Sequence, residues 1–141
     1  MKYVREIWEV FHVTNNSSRW ASTNKYKRYW WVSNYGRIRT TFNYKDDIQY
    51  PMPAPTGGHN KEGQRYWAIS INEACEKYVH RLVATYFVDN PNPDEYDVVH
   101  HKDHDKSNNH YTNLEWCTDA MNKQYYSEWY QKNKKQDEAA G

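Results

Sequence analysis

The sequence predicts an α+β fold, a small N-terminal β-rich module followed by a compact β-turn-β-α unit. Three observations predict it. The first third interleaves aromatic and β-branched residues with turn-forming clusters. The middle carries one amphipathic helical stripe from Tyr78 to Val88. The last third sets two short apolar runs, Tyr96 to His101 and Leu114 to Cys117, on either side of an Asn/Asp-rich loop, and a helical pattern follows.

Residues 3–13 alternate loosely around Ile7, Trp8, Val10 and Phe11 and predict a strand; Asn15-Asn16-Ser17-Ser18 is a polar loop. Tyr29-Trp30-Trp31-Val32 predicts a second strand, Ser33-Asn34-Tyr35-Gly36 a turn, and Arg37 to Thr41 the return strand of a hairpin. Trp30, Trp31 and Ile38 read as core, because large aromatics are usually buried. Pro51, Pro53, Pro55 and Gly57-Gly58 predict an exposed loop, and Tyr66 to Ile71 a strand. In the Tyr78–Val88 helix, Val79, Leu82, Val83, Tyr86 and Phe87 share a face. Asn90-Pro91-Asn92-Pro93 stops it, since proline cannot continue the hydrogen-bond ladder. A final helix is expected from Thr118, as N-cap, to about Gln131, with Asn122, Tyr125, Tyr126 and Trp129 on one side. The expected divisions are a basic module at 1–50, a linker at 51–65, a second unit at 66–131 with its β-turn-β-α core at about 96–131, and a polar tail at 132–141.

With 141 residues the chain is long enough for one modest core. Its apolar content is largely aromatic, with 14 Tyr and 7 Trp, residues that suit both cores and wet binding surfaces. A mean hydropathy of −1.24 and the lack of a long apolar run exclude a membrane span. Residues 1–6 show no apolar stretch of the signal-peptide kind. Cys75 and Cys117 stand alone, without CxxC spacing, so neither a disulfide framework nor a zinc knuckle is signalled, and a cytoplasmic protein with reduced thiols is expected. The net charge of +1 hides an asymmetry: residues 1–45 hold nine Lys/Arg against two Glu, a net +7, and the remainder nets −6. The N-terminal third either faces a polyanion or presents a solvated basic face. Lys25, Lys27 and Arg28 interleave with Tyr26 and Tyr29, as a phosphate-tracking surface does, and Arg37 and Arg39 alternate on one strand face. Arg81 fits a phosphate contact or a structural hydrogen bond equally well.

The chemistry concentrates in Val99-His100-His101-Lys102-Asp103, completed by Asn108-Asn109, Asn113-Leu114-Glu115-Trp116 and Asn122. Histidine supplies a base near neutral pH. Neighbours on a regular strand point to opposite faces, so His100 and His101 share a site only through a twist or bulge at the strand end. If the last helix folds back across the hairpin, the Asn122 side chain reaches a metal held by His100. Two plainer readings stand beside this: a surface histidine pair in a polar turn, and a zinc-type cluster of His100, His101, His104 and His110.

The segment from Val79 through Asn122, with Val79-His80-Arg81-Leu82-Val83-Ala84, Phe87, Asn90-Pro91 and the motifs above, resembles the HNH domain of phage and intron-encoded homing endonucleases. Glu6, Trp8 and Val32 to Arg39 resemble the small module that commonly precedes it, and the resemblance spans roughly residues 5–123. It implies a ββα-metal (HNH) nuclease unit and a metal-dependent DNA endonuclease. In that scheme His101 is the general base that activates water, His100 and Asn122 are the metal ligands, and Asn113 ties the loop and orients His101. It also implies one divalent ion, Mg²⁺, with Mn²⁺ or another transition metal such as Ni²⁺ or Zn²⁺ as substitutes, and products with 5′-phosphate and 3′-hydroxyl ends. His104 stands where the family usually has Gly; it and His80 are accessory candidates. The partners implied are DNA and no membrane, with the chain acting as a monomer or homodimer in the cytoplasm of a phage-infected bacterial host. The alternatives are a DNA-binding protein with an idle HNH fold, and a phage accessory factor active only with a protein partner. The chain stops soon after the last helix, so any DNA reading is expected from the N-terminal part or from a partner.

Overall fold

A computed structural model describes residues 5–15, 27–42, 45–49, 54–56, 66–72 and 75–140. The fold is α+β. Its elements in chain order are β1 (Trp8–Asn15), β2 (Lys27–Ser33), β3 (Ile38–Phe42), β4 (Lys45–Gln49), β5 (Ala54–Thr56), β6 (Tyr66–Asn72), β7 (Cys75–Tyr78), α1 (Val79–Phe87), β8 (Val98–His101), β9 (Leu114–Cys117) and α2 (Asp119–Ala140). The strands form three antiparallel sheets, β1-β2-β3-β4, β5-β6-β7 and β8-β9.

Three strands fall where no strand was expected: β4, β5 and β7, the last ending at Tyr78, which was expected to open the helix. β4 reads as Lys-Asp-Asp-Ile-Gln because it lies at a sheet edge, where charged residues blunt further pairing. β5 forms inside the stretch read as a loop; it too is an edge strand, the one place in a sheet that tolerates Pro55. At the other end, α2 continues past Gln131 to Ala140. The polar Lys132–Ala140 stretch was expected to be tail, but it is rich in helix formers, and polarity alone does not end a helix.

Trp30, Val32 and Ile38 of the first sheet, Ile69 of β6, Val79, Val83, Ala84 and Phe87 of α1, Val99 of β8 and Leu114 of β9 make one core. The module and the β-turn-β-α unit therefore share a single hydrophobic interior. Successive spacings of four residues on α1 put Val79, Val83 and Phe87 against it. The last turn of α1 leaves carbonyls without helical partners. Trp116 Nε1 donates to Val88 O (3.2 Å) and also to Ala84 O (3.3 Å), which already accepts from Val88 N. This ties β9 to α1 and fixes the hairpin on which the candidate site is built. Asn90 and Asn92 then form a compact turn, closed by Asn90 Nδ2 to Tyr96 O at 2.8 Å, that returns the chain to β8.

Candidate active site

The β8–β9 ladder runs without interruption from Val98↔Cys117 to His101↔Leu114, so no bulge brings the two histidines together. They take opposite sides of the ribbon end, and the cavity reaches both. His100 faces α2: its Nδ1 lies 3.1 Å from Asn122 Oδ1, and its ring packs on Tyr125 at 4.8 Å. His101 faces the loop and α1: its Nε2 lies 2.8 Å from Asn109 Oδ1, and its ring lies 5.2 Å from that of His80. Both are nearly closed off, at 8% and 4% exposed. A cavity of about 360 Å³ touches His100, His101, Asn122, Tyr66, Lys106 and Trp129.

Asn122 is placed by the start of α2. Thr118 caps it, Oγ1 accepting from Met121 N at 3.1 Å, and Asn122 N closes the first turn on Thr118 O at 3.0 Å. Asn113 cross-links the loop. Its Oδ1 accepts from Asp103 N (3.1 Å), its Nδ2 donates to Asp103 Oδ1 (2.8 Å) and to Asn108 O (2.9 Å), and its carbonyl accepts from Lys102 N (2.8 Å). These bonds go to the loop and none goes to His101; the side chain that holds His101 is Asn109. Spacing could not separate Asn109 from Asn108 beside it, and Asn108 bonds instead to Asp103 Oδ2 at 2.8 Å.

An amide oxygen can only accept, so the Asn109 contact puts the proton on His101 Nε2 and leaves Nδ1 with the lone pair. Burial lowers the pKa of His101, against the opposing pull of Asn109 and the Asp103 charge. Burial likewise lowers His100, against the bond to Asn122, and lowers His104. For Asp103, burial pushes the pKa up, but bonds from Asn108, the Asp105 backbone and Asn113 outweigh it and keep the carboxyl below its usual range. Cys117 is a buried free thiol pushed up to about 11, first by burial and then by Glu115, so it is no nucleophile.

Of the remaining described candidates, only His104 also lines the cavity. His104 takes φ +61°, packs edge-on against His100 at 4.9 Å and stacks on Trp129 at 4.9 Å. His80 stacks on Tyr66 at 4.6 Å. His110 stacks on Tyr35 and bonds Thr112 Oγ1 at 2.7 Å, so the four histidines read as a zinc-type cluster do not converge. Arg37 is paired with Glu6, Arg39 lies between the Trp8 and Trp31 rings at 4.7 Å from each, and Arg81 donates to Asp97 O at 2.8 Å. These arginines have structural partners and none of them lines the cavity. Lys27 and Arg28 belong to β2, and Lys25 lies outside the described residues. The lysines at the cavity are Lys106 and Lys123, which composition could not single out; Lys106 also sits 4.2 Å over the Tyr66 ring. Tyr126 and Trp129 line it too, on the α2 side that Asn122 shares.

An HNH endonuclease family model matches residues 77–124, which contain all four of His100, His101, Asn113 and Asn122. The HNH endonuclease L245 of Acanthamoeba polyphaga mimivirus is 44% identical over 62 residues, 43% of this chain and 18% of that protein. L247 of the same virus is 45% identical over 98 residues, 67% of this chain and 22% of that protein. DNA endonuclease I-HmuI of Bacillus phage SP01 is 31% identical over 103 residues, 73% of this chain and 54% of that protein. A solved structure of I-HmuI, described as DNA binding and cleavage by an HNH homing endonuclease, matches with a TM-score of 0.45 and 31% identity over 67% of this chain and 49% of that chain. This chain spans about half the length of I-HmuI and about a fifth of each mimivirus protein. By sequence it carries an HNH endonuclease domain, homologous to those of I-HmuI and the mimivirus HNH endonucleases.

Proposed function

We propose that this chain is a metal-dependent DNA endonuclease that hydrolyses phosphodiester bonds, with His101 as general base. One observation carries the reading: a buried imidazole with its Nδ1 lone pair retained lines the same cavity as the His100–Asn122 pair.

The donor set fits a divalent ion. His100 Nδ1 and Asn122 Oδ1, 3.1 Å apart, would hold the ion as neighbouring ligands, and the proton that Nδ1 donates to Asn122 in the metal-free chain would leave that nitrogen as the ion binds. Among the described residues no three His, Cys, Asp or Glu side chains gather around one point. A two-ligand site leaves the remaining positions to water and phosphate oxygens, which suits Mg²⁺ or Mn²⁺. The ion would neutralise charge on the departing 3′ oxygen.

The chain's own residues supply the rest. His101 Nδ1 takes a proton from water as its oxygen bonds to phosphorus, in line with the breaking P–O3′ bond. The 3′ oxygen leaves and is protonated from solvent, giving 5′-phosphate and 3′-hydroxyl ends. Lys106 and Lys123, at the cavity wall, offset charge on the phosphate oxygens. Residues 1–50, including Lys25, Lys27 and Arg28, serve as the DNA-contacting module of a nuclease centred on 66–131. One site per chain cuts one strand, so a monomer nicks and a homodimer makes a double-strand break.

The test is supercoiled plasmid with Mg²⁺, Mn²⁺ or EDTA. Metal-dependent nicking is expected, lost in His101→Ala and restored in Asn122→Ala only at raised metal concentration. DNA binding without cleavage in any metal would overturn the catalytic reading in favour of a binding protein with an idle HNH fold.

A further inference from the structure

The geometry points to a positioning role for the N-terminal turn: Gly36 seats Asn109, and Asn109 sets the tautomer and aim of His101, an inference that rests on the nuclease reading. The turn would then belong to the catalytic apparatus as well as to the DNA-contacting module.

Gly36 has φ +84°, which glycine adopts without strain. Conformation is only part of the requirement. A Cβ at Gly36 would stand 2.9 Å from Asn109 Cβ and 2.9 Å from Asn109 O, closer than side-chain atoms pack. The turn is also unable to move away. Asn34, fully buried, accepts from Ile7 N at 2.8 Å and donates to Arg5 O at 2.9 Å. Its carbonyl accepts from Tyr111 N at 2.9 Å, and Tyr35 stacks on His110 at 4.8 Å. The turn thus docks on residues 109–111 through a backbone bond, a ring stack and a glycine contact.

Asn109 is held from the other side as well, since Asn108 is bonded to Asp103. With 7% exposure it has little room to swing, and its Oδ1 meets His101 Nε2 at 2.8 Å. A bulkier residue at 36 pushes directly on the strand of chain that carries this contact. Loss of the contact frees His101 to take either tautomer, and one of the two places the proton where water must give up its own.

The test compares Gly36→Ala, Gly36→Asn, Asn109→Ala, Asn109→Asp and the Gly36→Asn/Asn109→Ala pair in the full chain. Asn tolerates the left-handed conformation, so Gly36→Asn keeps the Cβ contact while relieving backbone strain. Single-turnover nicking separates kcat from KM, and nitrogen NMR of the imidazole reads the His101 tautomer in metal-free protein. Both Gly36 variants and Asn109→Ala should lower kcat by about 10- to 100-fold with KM little changed, and should mix a tautomer population that is Nε2-protonated in the wild type. Asn109→Asp, which keeps an acceptor, should restore both. In the Asn109→Ala background, Gly36→Asn should cost no further kcat. Additive losses in the pair, or a wild-type tautomer in folded Gly36→Asn, would overturn the proposal. The NMR readout needs no cleavage: a wild type that never nicks sinks the nuclease reading, and the tautomer comparison still decides this one.

Discussion

His80 sits 6% exposed between Tyr66 and His101, and its Nδ1 finds no hydrogen-bond partner among the described residues. Burial pushes its pKa down to about 3, helped by the neighbouring His101, Arg81 and Lys106. The unfolded chain binds a proton here near pH 6.5, and the folded chain does not until far lower. Folding stability is therefore complete above pH 6.5 and falls as pH drops toward 3. Between pH 6.5 and 5 this one group should cost about 2 kcal/mol. Urea unfolding at pH 7.5 and 5.0 checks it: His80→Phe should lose about 2 kcal/mol less than the wild type over that interval, and equal losses would mean that His80 protonates in the folded state. The neutral imidazole also leaves no second cation behind the proposed base. Val-His-Arg-Leu-Val-Ala marked this residue as an accessory candidate, but its burial depends on Tyr66, fourteen positions away, and no local pattern reports that.

At the scale of elements, the start of α2 governs how Asn122 meets His100. Thr118 supplies the cap, and Asn122 lies in the first turn after it. Thr118→Ala should reduce stability by about 1 kcal/mol, and should raise the Mg²⁺ concentration needed for half-maximal nicking, because a frayed first turn loosens Asn122. Thermal melting alongside a Mg²⁺ titration separates the two effects; a stability loss with an unchanged Mg²⁺ requirement would show that Asn122 is held by packing rather than by the cap. The hairpin strands and both helices were legible in the sequence, since apolar spacing, a proline stop and a threonine cap are local signals. The edge strands β4 and β5 were not, because an edge strand tolerates charges and proline that argue against a strand anywhere else.

Over the whole molecule, charge and core run in different directions. The basic excess lies in the first third, yet the lysines at the cavity are Lys106 and Lys123 from the last third. If Lys106 meets a phosphate, Lys106→Ala should weaken DNA binding evenly across sequences and reduce the slope of log affinity against log salt by about 1. Anisotropy titrations in EDTA at several salt concentrations measure this without cleavage, and an unchanged slope would remove Lys106 from the interface. The core joins what charge separates: Trp30, Val32 and Ile38 pack with α1, β8 and β9, so a change in the first sheet reaches the site through shared packing. No described helix is long and apolar enough to cross a membrane.

The sequence by itself determined the α+β class, the β-turn-β-α unit and its family, and the order of His100, His101, Asn113 and Asn122, since each follows from local periodicity or from spacing along one short segment. Tertiary structure alone decided which asparagine holds His101, how the two histidines reach one cavity from opposite sides of an unbroken ladder, and that Arg37, Arg39 and Arg81 have structural partners. The reason is physical. A side chain's role at the site depends on what packs across from it, and here the partners come from Gly36, Tyr66 and Trp116, brought close only when the sheets and α1 close on one core.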